Sequence, residues 1–291
     1  MMMIVFHHSY IRYDSMDFTS EGQNLLINPL YSIWHWGYLA TGVFFFLSGF
    51  GLYHSIQRNS PLQFSWFFKQ LKKLIVPFLF LWLVYLICFV LWKPDYLRWN
   101  LLNDFFSLRS PGRETWFFNV IVGAYVVTFF IFKYINEKIR LPILLICTLI
   151  YAIIMAKYST GPWWYNSILN FSIGMIVAKH FTSIDKIPDY IAILLSIIAY
   201  FVFYRYIKID IFESLAFTFF IIWLCKYIDI RSPYLYFVGV QSLSFYFLEM
   251  PAKNFFCVSF INNYWLFTIS SIVVTSLIVL IYKYLQNMIR V

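Results

Sequence analysis

The chain has 291 residues, of which 62% are apolar, 23% aromatic and only 12% charged, with a mean hydropathy of +0.71. A soluble domain is about half apolar and about a quarter charged, so these charges are too few to coat a water-facing surface. That excludes an ordinary soluble enzyme, a nucleic-acid binder and a disordered protein, and leaves an integral membrane protein. The net charge of +9, from 22 Lys and Arg against 13 Asp and Glu, then reads as basic cytoplasmic loops facing anionic lipid.

Apolar runs between charge, Pro and Gly punctuation predict an all-α polytopic bundle of about ten spans, near 1–13, 33–55, 74–92, 116–133, 141–157, 163–180, 189–207, 210–228, 233–253 and 262–285. The first run, MMMIVFHHSYIRY, begins in mid-hydrophobe. It supplies about half of the roughly 20 residues a spanning helix needs, which predicts a truncated first helix with residues missing upstream. Very short connections, at Gly161-Pro162 and Ile209-Asp210, predict antiparallel hairpins, while two long loops cover about 14–32 and 93–115. No internal repeat or soluble domain interrupts the sequence, so residues 1–291 read as a single domain. Counted over alternate loops, 13 Lys and Arg fall on the side of the N-terminus and 9 on the other, which predicts cytoplasmic termini. Cys88, Cys147, Cys225 and Cys257 lie far apart in or beside apolar runs; they have neither metal spacing nor a disulfide pattern and read as packing residues.

An ionisable side chain on a spanning helix costs about 2.5–3.5 kcal/mol on insertion scales, so one that is kept is a functional candidate. His7 and His8 end the first span. Imidazole suits proton transfer from a hydroxyl, although an interfacial pair bonded to headgroups fits the same position. Glu249 closes LSFYFLEMP before Pro251 and calls for a partner on another helix, as a site carboxylate or a structural ion pair. Arg113, Glu114 and Trp116 stand at the start of the fourth span, where a solvated loop and an interfacial Trp would look the same. Lys69, Lys72 and Lys73 precede Pro77 and suit either anionic lipid or the phosphates of a nucleotide-like donor. His35 in WHWGYLATG keeps interest as an outward-facing imidazole, whereas His54 and His180 read as structural. Ser48, Gly49 and Gly51 in GVFFFLSGFGLYHS form a seam where helices approach closely.

Taken in order, these segments resemble the acyltransferase-3 family of multi-spanning bacterial membrane O-acyltransferases, over nearly the whole chain. FHHSY is similar to the family's first-helix histidine motif, and GVFFFLSGFGLYHS to its "FFxLSGF" signature, the most specific of the matches. FFKQLKKLIVPF resembles the basic stretch before a proline, ETWFF the "LWF" opening of the fourth helix, and VGVQSLSFYFLEMP the segment "G..S...Y..H.P". The family pattern includes an arginine upstream of the histidine on the first helix, which has no counterpart here. Glu249 stands where the family commonly has histidine.

The resemblance implies acyl transfer, usually of acetyl, from a cytosolic thioester to a hydroxyl of a cell-envelope glycan in the bacterial plasma membrane. It implies His8 as the essential histidine, with His7 as the near alternative and Glu249 beside them. Arg113, Glu114, Trp116, His35 and Ser48 are then candidates for acceptor binding, and Lys69, Lys72 and Lys73 for the donor. The expected partners are acetyl-CoA as donor substrate, a glycan acceptor and the lipid bilayer, with no nucleic acid, metal or permanently bound cofactor. Direct transfer with His8 as base and transfer through an acyl-histidine both fit. The competing classes are an envelope-glycan transporter or polymerase, and an inactive truncated family member.

Overall fold

The computed structural model describes residues 2–14, 37, 39–92, 115–158, 161–228, 231–257 and 263–289, and every regular element among them is helical. The helices are α1 (Met2–Asp14), α2 (Ala40–Arg58), α3 (Phe64–Trp92), α4 (Thr115–Tyr134), α5 (Arg140–Tyr158), α6 (Leu169–Lys179) and the single turn α7 (Phe181–Ile184). They continue with α8 (Asp189–Val202), α9 (Asp210–Tyr227), α10 (Pro233–Val240), α11 (Ser242–Pro251) and α12 (Tyr264–Ile289). Phe64–Cys88, Trp116–Tyr134, Arg140–Tyr158, Asp189–Ile207 and Tyr264–Met288 are each long and apolar enough to cross a bilayer. Among the described residues, therefore, five of the expected ten spans are continuous apolar helices of spanning length.

The other expected spans depart for local reasons. At about 1.5 Å per residue, α1 with 13 residues and α6 with 11 are shorter than a bilayer core. Asn166 and Ser167, whose side chains bond to each other, hold the chain in turns between the 3-10 helix Pro162–Trp164 and α6. The stretch 233–253 breaks at Gln241, which caps both α10 and α11. Asp210, Glu213 and Lys226 all fall within the 18 residues of α9. The third span is longer than expected. Its helix starts at Phe64 and passes through Lys69, Lys72, Lys73 and Pro77, so the lysines sit on a helix and not in a loop. Proline removes one backbone hydrogen bond, and a long helix with apolar packing on both sides of that point absorbs the loss.

The chain divides into two compact units, one of Met1–Gly37, Lys72–Phe118 and Ser232–Val291, the other of Tyr38–Leu71 and Asn119–Arg231. In the second unit α6 is buried on most of its faces, and α2 runs against it. The crossing is a glycine seam: a Cβ at Gly49 would strike the Phe171 carbonyl, and one at Gly174 would strike the Phe46 carbonyl. Buried hydroxyls link the helices further, with Thr41 and Ser167 3.0 Å apart, Thr148 and Ser172 2.7 Å apart, and Asn170 donating to Ser214 at 3.1 Å. Helix α5 buries Leu141, Leu144, Thr148 and Ala152, one stripe at helical spacing, and turns residues such as Ile153, 69% exposed, away from the protein. That is the arrangement lipid requires. Lys226 joins Asp185 and Asp189, both at 2.8 Å.

The first unit is built on stacked rings. Phe78 of α3 lies face to face with Phe118 of α4 at 4.0 Å and edge-on to Phe247 of α11 at 5.7 Å. Phe80 meets Tyr282 of α12 at 4.6 Å. Helix α1 packs against α11 and α12 in the same unit.

The glycine seam gives a direct test. Gly49→Ala or Gly174→Ala should cost about 1–3 kcal/mol through overpacking against a backbone carbonyl. Gly51→Ala, whose Cβ would meet nothing within 4 Å, should leave the melt in detergent unchanged.

Candidate active site

Helix α1 is short but deeply held, with Ile4 and Val5 each 1% exposed. Its polar residues His8 and Ser9 follow directly. The Ser9 hydroxyl donates back to the Val5 carbonyl at 2.8 Å, and His8 turns towards α11. There, Phe245, Tyr246, Phe247, Leu248 and Glu249 are all buried. Sequence reasoning runs this span to 253, with Glu249 near its end; the structure carries the helical path on to Phe256. Pro251 has no N–H to continue the ladder, and the chain widens into a π-helical turn, Ala252–Phe256, closed by the Cys257 N–H on the Ala252 carbonyl at 3.1 Å. Lys253 lies in that turn and is completely buried, where the sequence alone counts it as a loop charge.

These elements bring three ionisable groups into one line. His8 Nδ1 bonds to Glu249 Oε1. Glu249 Oε2 accepts from Lys253 Nζ at 3.4 Å, and the same ammonium donates to the Val5 carbonyl at 3.0 Å. Glu249 and Lys253 have no exposed surface, while the His8 side chain is 22% exposed. A buried charge must be paired and hydrogen-bonded to be tolerated. Lys253 supplies that pairing, so the carboxylate is neutralised without requiring a proton on the imidazole. The bond uses the Nδ1 side of the ring, so Nε2 is the nitrogen that Glu249 does not engage.

Aromatic rings complete the setting. Tyr246 lies 6.4 Å from the His8 ring, Phe117 lies 4.9 Å from Tyr246, and Trp116 follows at 5.9 Å from Phe117. The ring of His7 is 5.7 Å from that of His8. Gly37 passes so close over His7 that any Cβ there would collide with the His7 side chain. Tyr264 of α12 donates to the Phe6 carbonyl at 3.4 Å.

Of the candidates from sequence, His7, His8, Glu249 and Trp116 are thus brought into one unit, with Trp116 half-buried in the first turn of α4. Lys72 and Lys73 belong to the same unit and are exposed on α3. Lys69, also exposed, and the half-buried Ser48 of α2 belong to the other unit. Arg113, Glu114 and His35 lie outside the described residues. Two residues of this site were not singled out by sequence. Tyr246 stands inside the quoted motif, and Lys253 follows Glu249 at the i,i+4 spacing that pairs charges on a helix. Among the described residues no three His, Cys, Asp or Glu side chains form a metal-ligand set. All four cysteines are free thiols, Cys88 and Cys257 buried in packing and Cys225 exposed.

The family model described as an acyltransferase domain matches residues 1–284. The chain belongs to the acyltransferase-3 family. No curated protein and no solved structure matches it. Within this family domain, His8 is held on one ring nitrogen by a fully buried carboxylate. Glu249 has Lys253 one turn on to balance its charge.

Removing one partner of the buried pair should be more harmful than removing both. Lys253→Met leaves an unpaired buried carboxylate and should cost about 3–5 kcal/mol. Adding Glu249→Gln should recover most of that loss in thermal melts of the purified protein.

Proposed function

We propose that this acyltransferase moves an acetyl group from acetyl-CoA to a hydroxyl of a cell-surface polysaccharide, from a multi-pass position in the bacterial plasma membrane with both termini cytoplasmic. The observation that carries the reading is the bond from His8 to the fully buried Glu249 carboxylate. It supports a base with a fixed tautomer, which a lipid-facing or headgroup-bonded histidine would not need.

In this mechanism the acceptor hydroxyl gives its proton to His8 Nε2 as its oxygen attacks the thioester carbonyl. The tetrahedral intermediate then collapses, the C–S bond breaks, and the thiolate takes the proton back from the imidazolium. The products are an O-acyl ester and a free thiol. Glu249 holds the imidazole in register and stabilises its charged form, and Lys253 keeps Glu249 ionised between turnovers. The full burial of Glu249, with the Tyr246 ring beside His8, supports a setting poor in water, which would spare the thioester from hydrolysis.

The donor would approach from the side bearing Lys69, Lys72 and Lys73, with its phosphates near these exposed ammonium groups. Lys73 precedes Phe78 by five residues, about 8 Å along the helix axis, and Phe78 packs on Phe247, two residues before Glu249. That span is within reach of an extended pantetheine arm. Membership of a transferase family supports this reading over a glycan transporter or polymerase.

The test is transfer of labelled acetyl to envelope glycan by the full chain in its membrane. His8→Ala should lower the rate by about 10²–10⁴, the worth of a general base, while His7→Ala retains most of it. Normal acetylation by His8→Ala would refute the assignment.

A further inference from the structure

Helices α4 and α5 carry two of the stretches long and apolar enough to span a bilayer, Trp116–Tyr134 and Arg140–Tyr158, and only residues 135–139 join them. So short a link between two spans has to lie where hydrocarbon gives way to water, at the depth of lipid headgroups. At that link the second unit has a cavity of about 320 Å³, at the lower edge of the range of small-molecule pockets. Lys133, Glu137 and Arg140 line it from the link and its two flanking helices. Gln57 and Ser60 line it from the end of α2 and the turn that follows.

Both cations are held by neutral groups and not by the carboxylate. Lys133 Nζ sits 3.6 Å over the Phe64 ring and 5.3 Å from that of Phe129. Arg140 donates Nε to the Ile135 carbonyl at 2.7 Å, with its guanidinium 5.6 Å from the Phe132 ring. A guanidinium tied through Nε keeps its terminal nitrogens for a bidentate contact, the geometry that phosphate accepts. Among the described residues, no ion pair joins either cation to Glu137. The cavity therefore calls for an anion and a cation carried on one small frame. At headgroup depth, phosphatidylethanolamine has that form, with a phosphodiester anion joined by a short link to a primary ammonium. Phosphatidylglycerol would meet the cations but bring Glu137 only hydroxyls, and the trimethylammonium of phosphatidylcholine has no N–H to donate.

We infer that this cavity holds the headgroup of phosphatidylethanolamine, its phosphate on Arg140 and Lys133 and its ammonium on Glu137, with Gln57 and Ser60 as further hydrogen-bond partners. Within two turns before Lys133, Val127 and Phe130 are exposed on α4 and give the lipid tails an apolar surface. The bound lipid ties the end of α2 to the α4–α5 link, all within one unit, and its presence does not depend on the acyl transfer proposed above.

The experiment measures lipid bound to the full chain in detergent, by native mass spectrometry and by melting temperature, with dioleoyl phosphatidylethanolamine, phosphatidylglycerol or phosphatidylcholine added in turn. Phosphatidylethanolamine should be retained at least about tenfold more tightly than either of the others, the worth of one charge-assisted hydrogen bond. It should also raise the melting temperature, as a ligand of the folded state does. Arg140→Gln should weaken retention of phosphatidylethanolamine and phosphatidylglycerol alike, by about tenfold. Glu137→Gln alters an exposed residue, so the variant should melt as the parent does in the absence of lipid. It should lose the preference for phosphatidylethanolamine and keep its binding of phosphatidylglycerol. Lys138→Gln, a charge beside the cavity but outside its lining, and His8→Ala should both bind as the parent does. Equal retention of the three lipids, or a preference that Glu137→Gln leaves unmoved, would overturn the assignment. So would displacement of the lipid by inorganic phosphate alone, since the occupant would then be a free anion.

Discussion

A carboxylate with no exposed surface dictates the arrangement around it, because in an apolar interior each oxygen needs a donor and the charge needs an opposite. Glu249 obtains both from two directions, the imidazole of His8 on α1 and the ammonium of Lys253 one helical turn away. An ion pair of this kind is a poor source of stability, since desolvation consumes most of the Coulombic gain and apolar replacements often do as well. What it does provide is a fixed direction. With the Glu249 charge already met by Lys253, the imidazole is oriented by a hydrogen bond.

Holding that geometry falls to packing of two different kinds. Around the ionisable line the first unit uses large rings, with Phe78, Phe118 and Phe247 locking three helices at one level. The second unit relies on small residues and hydroxyls, so that α2 and α6 touch backbone to backbone at Gly49 and Gly174. Both solutions answer one constraint. In a bilayer the lipid is as apolar as the core, so close fit and internal hydrogen bonds must supply what burial from water supplies elsewhere.

Much of this was legible in the residues themselves. Composition points to an integral membrane protein, the length of its apolar runs points to helices, and the ordered motifs mark His8 and Glu249 before any contact is known. The demand that Glu249 have a partner follows from the cost of an unpaired charge at that depth, and His8 meets it across 241 residues of sequence. Lys253 was hidden because Pro251 reads as a stop, whereas a π-helical turn lets the chain continue and folds the lysine inward. The breaks at Gln241 and before α6, and the unbroken passage of α3 through Pro77, were hidden for a related reason. A hydropathy run records that a segment is apolar but not where its backbone hydrogen bonds are interrupted.

The ammonium of Lys253 is moored to α1 through the carbonyl of Val5, a main-chain atom that every residue type possesses. Position 5 is therefore free to drift among similar apolar side chains over evolutionary time without releasing the anchor. What lineages must preserve there is a backbone path, so the dependence would be invisible to any comparison that scores identities, and would surface only where an insertion shifts the register of that first helix.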